Sequence, residues 1–385
     1  MKSKSRKTFR KRKIVKVLYC TATPSFYRTK FFDQLGRQTE LTVLYEAKET
    51  KNRGGDYYSK VGNHSYHEII LADDIDQVKR FDHRIVREVL NKAYDVVIIG
   101  CFNSTNGVFA QMALALHRRA YLLNIDGEFF GGKKTLKRMY RNWLIGRASG
   151  YVIAGEHTGK DLLPLVVDKP LQRYHFTSLT QDEVDKNAKE IRGDQHKRTV
   201  LCVAQYLAYK GLDVLLRAAK KLPEVDFLIV GTHQRTELLV QNIKKLSLRN
   251  VRVLEYLPQN ELIRAYSDCS CFVLPSRQEC WGLVINEAAS FGVPIVSTDG
   301  AGAALDILSP NYMRFLAKPG DADDLAAKLL ECLSLQERDR RRYSEYLLNK
   351  SRDYTIENMV QEHLRALEDF VASRGEKNER AWHLS

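Results

Sequence analysis

PSRQECWGLVINEAASFGVPIVS, residues 275–297, decides how this chain is read. The apolar run CFVL before it has the length and composition of a buried strand. A polar loop carrying Glu279 follows, then a helix over 282–291 and a second apolar strand over 294–297. Glu279 lies on the loop and Glu287 on the helix, eight positions apart. The helix start between them offers backbone N–H groups without intrahelical partners and the positive end of the dipole, which suits a phosphate. The two carboxylates can then accept hydroxyls on either side of it. Glutamates at this spacing are also common on ordinary surface helices. The flanking Pro-Ser, Gly282, Ala288-Ala289 and Gly292-x-Pro294 weigh against that plainer reading.

The same alternation extends outward in both directions. In the second half, strands are expected at 199–204, 226–230 and 251–255, and helices at 211–221, 236–247, 259–267 and 322–334. In the first half, strands are expected at 14–19, 41–45, 67–71, 95–99, 120–125 and 150–153, and helices at 30–36, 76–93, 106–118 and 134–147. Short apolar runs alternating with helical stretches make a parallel sheet covered by helices. The stretch 180–198 is polar and nearly free of apolar residues, which marks a domain boundary. The expected organisation is α/β: a Rossmann-like domain over 1–185, a linker over 186–198, a second Rossmann-like domain over 199–350, and a helix and tail over 351–385 that can return to the first domain. Two doubly wound domains of this kind face one another across a cleft, with ligands at the carboxyl ends of the strands.

With 385 residues, 44% of them hydrophobic, the chain has material for two cores. No apolar run approaches the roughly 18 residues that span a bilayer, and the basic start lacks a separate apolar region, so neither a membrane span nor a signal peptide is expected. The seven cysteines sit mostly in apolar runs without Cys-x-x-Cys pairs, the pattern of reduced thiols in a cytosolic protein. Of the net charge of +14, nearly all falls in the first half: residues 1–190 hold 34 Lys/Arg against 21 Asp/Glu, and residues 191–385 hold 27 against 26. That asymmetry points the first half at an anionic partner.

The stretch 275–297 resembles the E-x7-E motif of glycosyltransferase family 4, retaining enzymes of GT-B fold. Three further segments agree in order and spacing: VAQYLAYKGLDVLLRAAKKL (203–222), DFLIVGT (226–232) and VRVLEYLPQNELIRAYSDCSCFVLPS (251–276). The first half resembles the family more loosely, in the layout of members from bacterial surface-polysaccharide pathways. The resemblance implies transfer of a hexosyl group from a nucleotide-sugar, expected to be a UDP-sugar, to a membrane-located or lipid-linked glycan. It gives Lys210, beside Gly211, to the donor diphosphate and Glu279 to the hydroxyls of the donor sugar. The backbone at Cys280, Trp281, Gly282 and Leu283 falls near sugar and phosphate, Glu287 holds the ribose, and Gly231 and Thr232 lie near the nucleotide. Two positions depart from the family: Gln205 stands where many members have Arg, and Gly231-Thr232-His233 replaces Gly-x-Gly.

Asp126 ends an apolar strand in AYLLNIDGEFFGG and is the expected group to orient the acceptor hydroxyl or to stabilise positive charge on the sugar. A helix-capping turn is its ordinary alternative, and Glu128 is the next candidate. Asp321-Ala322-Asp323 has the D-x-D form of a metal site, but it opens a helix and N-capping accounts for it. No metal and no cofactor are expected. Lys133, Lys134, Lys137 and Arg138, interleaved with Leu136, Met139, Tyr140, Trp143 and Leu144, form an apolar stripe with basic flanks. That is the form of a helix lying on an anionic membrane surface, with Trp143 at headgroup depth. The chain is therefore expected at the inner face of the cell membrane. A nucleotide-sugar epimerase on the same fold and a basic nucleic-acid-binding protein are the competing readings; no nucleic-acid-binding motif supports the latter.

Overall fold

The apolar runs become two parallel sheets in the computed structural model, which describes residues 14–49, 64–74, 81–127, 136–157, 166, 168–190, 198–231 and 235–382. The first sheet contains β1 (Lys16–Thr21), β2 (Glu40–Tyr45), β3 (His67–Ile70), β4 (Val96–Ile99), β5 (Leu122–Ile125), β6 (Gly150–Ala154) and β7 (Leu171–Tyr174), in the order β3-β2-β1-β4-β5-β6-β7. Its helices are α1 (Phe26–Gly36), α2 (His83–Leu90), α3 (Thr105–Leu116) and α4 (Leu136–Ile145). The central strand β4, VVII, is buried along its whole length, as a strand covered on both faces must be. α5 (Gln181–Asn187) leads to the second sheet.

The second sheet contains β8 (Thr199–Val203), β9 (Asp226–Val230), β10 (Val251–Leu254), β11 (Cys271–Leu274), β12 (Ile295–Thr298) and β13 (Leu316–Ala317), in the order β10-β9-β8-β11-β12-β13. Its helices are α6 (Leu212–Lys221), α7 (Thr236–Lys245), α8 (Gln259–Asp268), α9 (Leu283–Ser290), α10 (Gly302–Ile307) and α11 (Ala322–Leu333), followed by α12 (Glu337–Ser351) and α13 (Ile356–Trp382). β8 pairs in parallel with β9 on one side and β11 on the other. The strand order reverses there, and the loops that follow β8 and β11 both leave from the carboxyl ends of these strands, the place where such sheets bind ligands.

The described residues fall into two compact units. One lies within Met1–Asn124, Thr135–Tyr151 and Leu364–Ser385, the other within Ile125–Lys134 and Val152–His363. Several elements differ from the sequence reading. α1 begins at Phe26, directly after Ser25, and buries Phe31, Phe32 and Leu35. α5 forms inside the polar stretch 180–198. Its capping box pairs the Thr180 hydroxyl and the Glu183 carboxylate with each other's backbone N–H groups, and the Asn187 amide donates to Ser290 Oγ at 2.8 Å. β7, α10 and α12 were not expected. α4 covers the middle of its expected range, and residues 76–80 of the helix expected at 76–93 lie outside the described residues. Among the described residues no helix is long and apolar enough to cross a membrane.

Candidate active site

Lys210 and Glu279 are 69 positions apart in sequence and bonded to each other in the fold: Lys210 Nζ donates to Glu279 Oε2. The topology brings them together. β8 leads into a short 3-10 turn, Ala208–Lys210, and β11 leads into the loop 275–282, so the adjacent strands deliver both residues to the point of reversal. The Tyr209 carbonyl accepts from the Arg277 N–H at 2.7 Å. The Arg277 guanidinium donates to the Ala208 carbonyl and makes two 2.7 Å bonds to Asp213 on α6. That forked contact holds the Asp213 carboxyl below the usual carboxylate range. Gly211 sits with φ +69 against the Pro275 carbonyl; a Cβ there would lie 2.0 Å from the oxygen. The two loops therefore form one rigid piece.

Glu279 is fixed through its backbone as well. Its N–H donates to Gly300 O at 2.8 Å, and its carbonyl accepts from Gly302 N–H at 3.4 Å, at the start of α10. Its side-chain Oε2 also lies 3.4 Å from Ser276 Oγ. Cys280 is exposed. Gly282 caps α9, and Leu283 begins it. The indole of Trp281 turns inward: it is buried, donates to Asn286 Oδ1 at 2.9 Å and packs on Phe176. Its carbonyl accepts from the Ala303 N–H on α10 at 2.9 Å. Glu287 accepts from Tyr266 OH at 2.9 Å, which orients its carboxylate. Gly231 follows β9 and donates to Leu254 O at 3.1 Å. Thr232 lies outside the described residues.

Asp126 accepts a hydrogen bond from the buried hydroxyl of Tyr174 on β7. The next residue, Gly127, has φ +122 and lies so close to Cys280 that a Cβ would come within 2.2 Å of its carbonyl oxygen. Within the second unit, Asp126-Gly127 therefore adjoins the loop that carries Glu279. Glu128 lies outside the described residues. Behind this loop, both oxygens of Asp306 on α10 accept from the backbone N–H groups of Glu156 and His157, at 2.7 and 3.0 Å, and burial raises its pKa.

Sequence reasoning missed Tyr174, Tyr266, Arg277 and Asp306. Only Arg277, inside PSRQE, carried a local signal. Asp321 caps α11, accepting from the N–H groups of Asp323 and Asp324 at 3.0 Å each. Among the described residues no group of three or more His, Cys, Asp or Glu could hold a metal. On α4, Met139, Tyr140 and Trp143 are exposed by 61%, 43% and 49%, while Leu144 and Ile145 are buried, so the expected stripe is divided between solvent and core. Tyr140 stacks on Trp143, and Arg147 lies 4.9 Å from the Trp143 ring centre. Lys137 and Arg138 lie on this helix; Lys133 and Lys134 lie outside the described residues.

The crystal structure of Anabaena Alr3699/HepE in complex with UDP and glucose superposes with a TM-score of 0.69 over 92% of this chain and 100% of that one, at 16% identity. The fold is GT-B. Residues 183–349 of this GT-B chain match the family model of glycosyl transferases group 1. An uncharacterized glycosyltransferase of Haemophilus influenzae is 29% identical over 170 residues, 43% of this chain and 47% of that protein. The 2-deoxystreptamine N-acetyl-D-glucosaminyltransferase of Niallia circulans is 29% identical over 143 residues, 36% of each chain. The GT-B chain thus spans less than half the length of these curated relatives.

Proposed function

We propose that this chain is a retaining hexosyltransferase that takes its sugar from a UDP-sugar and gives it to a membrane-located or lipid-linked glycan, in the synthesis of cell-surface polysaccharide. The observation that carries the reading is the Lys210–Glu279 pair at the point where the second sheet reverses, inside the segment matched by the family model. Lys210 stabilises the departing diphosphate as a point charge. Glu279 accepts hydroxyls of the donor sugar, Glu287 those of the ribose, and the start of α9 faces the phosphates. The bond from the anomeric carbon to the phosphate oxygen breaks, the bond to the acceptor oxygen forms on the same face, and the acceptor proton passes to the departing phosphate. Asp126 orients the acceptor or stabilises charge on the sugar. The ammonium and the helix start replace a metal ion. The Anabaena neighbour, solved with UDP and glucose, supports UDP as the nucleotide.

The test is donor hydrolysis with a panel of UDP-, GDP- and ADP-sugars in the absence of acceptor. UDP-sugars are expected to be consumed. Lys210→Ala and Glu279→Ala should lower turnover about a hundredfold, the scale of losing a transition-state charge contact, and Glu287→Ala should chiefly weaken nucleotide binding. Failure to consume any donor, or normal kinetics in all three folded variants, would sink the proposal.

The exposed Met139, Tyr140 and Trp143 beside Arg147 support a place at an anionic membrane surface on the cytoplasmic side. Replacing Lys133, Lys134, Lys137 and Arg138 with Glu should release the protein from anionic vesicles and leave donor hydrolysis intact. Equal co-sedimentation of the unaltered protein with neutral and anionic vesicles at low salt rules the membrane out.

A further inference from the structure

We infer that Glu279 competes with the donor diphosphate for Lys210, and that this exchange expels the nucleoside diphosphate once the sugar has left. The inference rests on the function proposed above. The Lys210 and Glu279 side chains are only 17% and 13% exposed, so water screens their attraction weakly. Neither backbone can withdraw. Lys210 N–H is bonded to Leu207 O at 2.9 Å and Gly211 is wedged against Pro275, while Glu279 is tied to Gly300 and Gly302. Exchange is therefore a matter of side chains alone.

Lys210 has several N–H donors but one positive charge. A diphosphate that takes this charge leaves Glu279 ionised and poorly solvated, a costly state unless new donors reach it. The hydroxyls of a donor sugar are such donors. A nucleoside diphosphate without sugar offers none there, and the Ser276 hydroxyl at 3.4 Å is a weak substitute. Glu279 therefore opposes the product more than it opposes the donor. After transfer it loses its sugar partners, returns to Lys210 and displaces the product from the ammonium.

Calorimetric titration of UDP and UDP-glucose into the full chain and its Glu279→Gln and Lys210→Met variants tests this. Glu279→Gln should bind UDP about tenfold more tightly, because the amide removes the competing charge, while UDP-glucose affinity changes by no more than about threefold. Glu279→Ala should shift UDP affinity in the same direction, and melting curves without nucleotide check that each variant is folded. Lys210→Met should weaken both ligands tenfold or more. UDP affinity unchanged or weaker in both Glu279 variants, with Lys210→Met weakened, overturns the exchange and leaves the site assignment standing. UDP affinity unchanged in Lys210→Met overturns the site assignment itself, and no UDP binding by the unaltered protein overturns the proposed function on which the exchange rests.

Discussion

Replacing Gly211 with alanine should damage stability and turnover together, and the size of each effect can be worked out. Gly211 has φ +69 and ψ +21, a left-handed conformation. Holding an alanine there costs about 1–2 kcal/mol. The added methyl would lie 2.0 Å from the Pro275 carbonyl oxygen and 3.0 Å from its carbon. A close carbon–oxygen contact is about 3.3 Å, so the Pro275 carbonyl must retreat by roughly 1 Å. The obstacle is backbone, which cannot rotate aside, and overpacking of this kind adds about 1–3 kcal/mol. The combined loss of about 2–5 kcal/mol corresponds to a melting temperature lower by about 5–15 °C. The displaced segment leads directly to Glu279, and a shift near 1 Å between Lys210 and Glu279 should cost about a hundredfold in turnover. Gly211→Asn separates the two causes. Asparagine tolerates left-handed backbone better but carries the same Cβ, so it should recover part of the stability and none of the turnover. Thermal unfolding and donor hydrolysis measured on the same preparations decide the matter. Normal melting and normal turnover in Gly211→Ala would refute the account of two loops fastened at this contact.

Three further outcomes are expected. Donor hydrolysis should survive EDTA, and activity lost in chelator and restored by manganese or magnesium would contradict this. Asp321→Ala should lower the melting temperature without affecting turnover, since Asp321 serves the start of α11, and unchanged melting with lost turnover would contradict that. His175 Nδ1 lies 2.7 Å from Glu362 Oε1, and this contact raises the histidine pKa, so its contribution to stability is complete below the unfolded value near 6.5 and fades as pH rises through the folded value. The melting difference between the unaltered protein and His175→Gln should be larger at pH 5.5 than at pH 9, and equal differences would show that the pair does not act through charge.

The second sheet was legible because β8, β9, β11 and β12 are short apolar runs separated by turns and amphipathic helices, a pattern that packing reinforces. α12 was not. Its sequence, ERDRRRYSEYLLNKS, is dominated by charge, and only Tyr343, Leu347 and Ser351, spaced four apart, turn inward. α5 was hidden for a related reason: its capping box and the Asn187–Ser290 bond supply what its few apolar residues do not. The spacing of Glu279 and Glu287 marked the loop and helix in advance. The meeting of Lys210 with Glu279 could not be read from spacing, because strand order creates it. Trp281 shows the opposite limit. The motif spoke only for its backbone, and that the indole belongs to the core is revealed by tertiary packing alone.

The uneven burial of the thiols has a practical consequence. Cys20, Cys101, Cys202, Cys269, Cys271 and Cys332 are buried, whereas Cys280 is exposed, next to Glu279 and with its carbonyl against Gly127. A bulky maleimide offered to the folded chain meets one accessible attachment point among seven. A fluorophore fixed there would sit on the loop 275–282, beside Glu279, and its emission should change when that loop rearranges. The natural sequence thus carries a built-in reporter position, with no cysteine to be added and none to be removed.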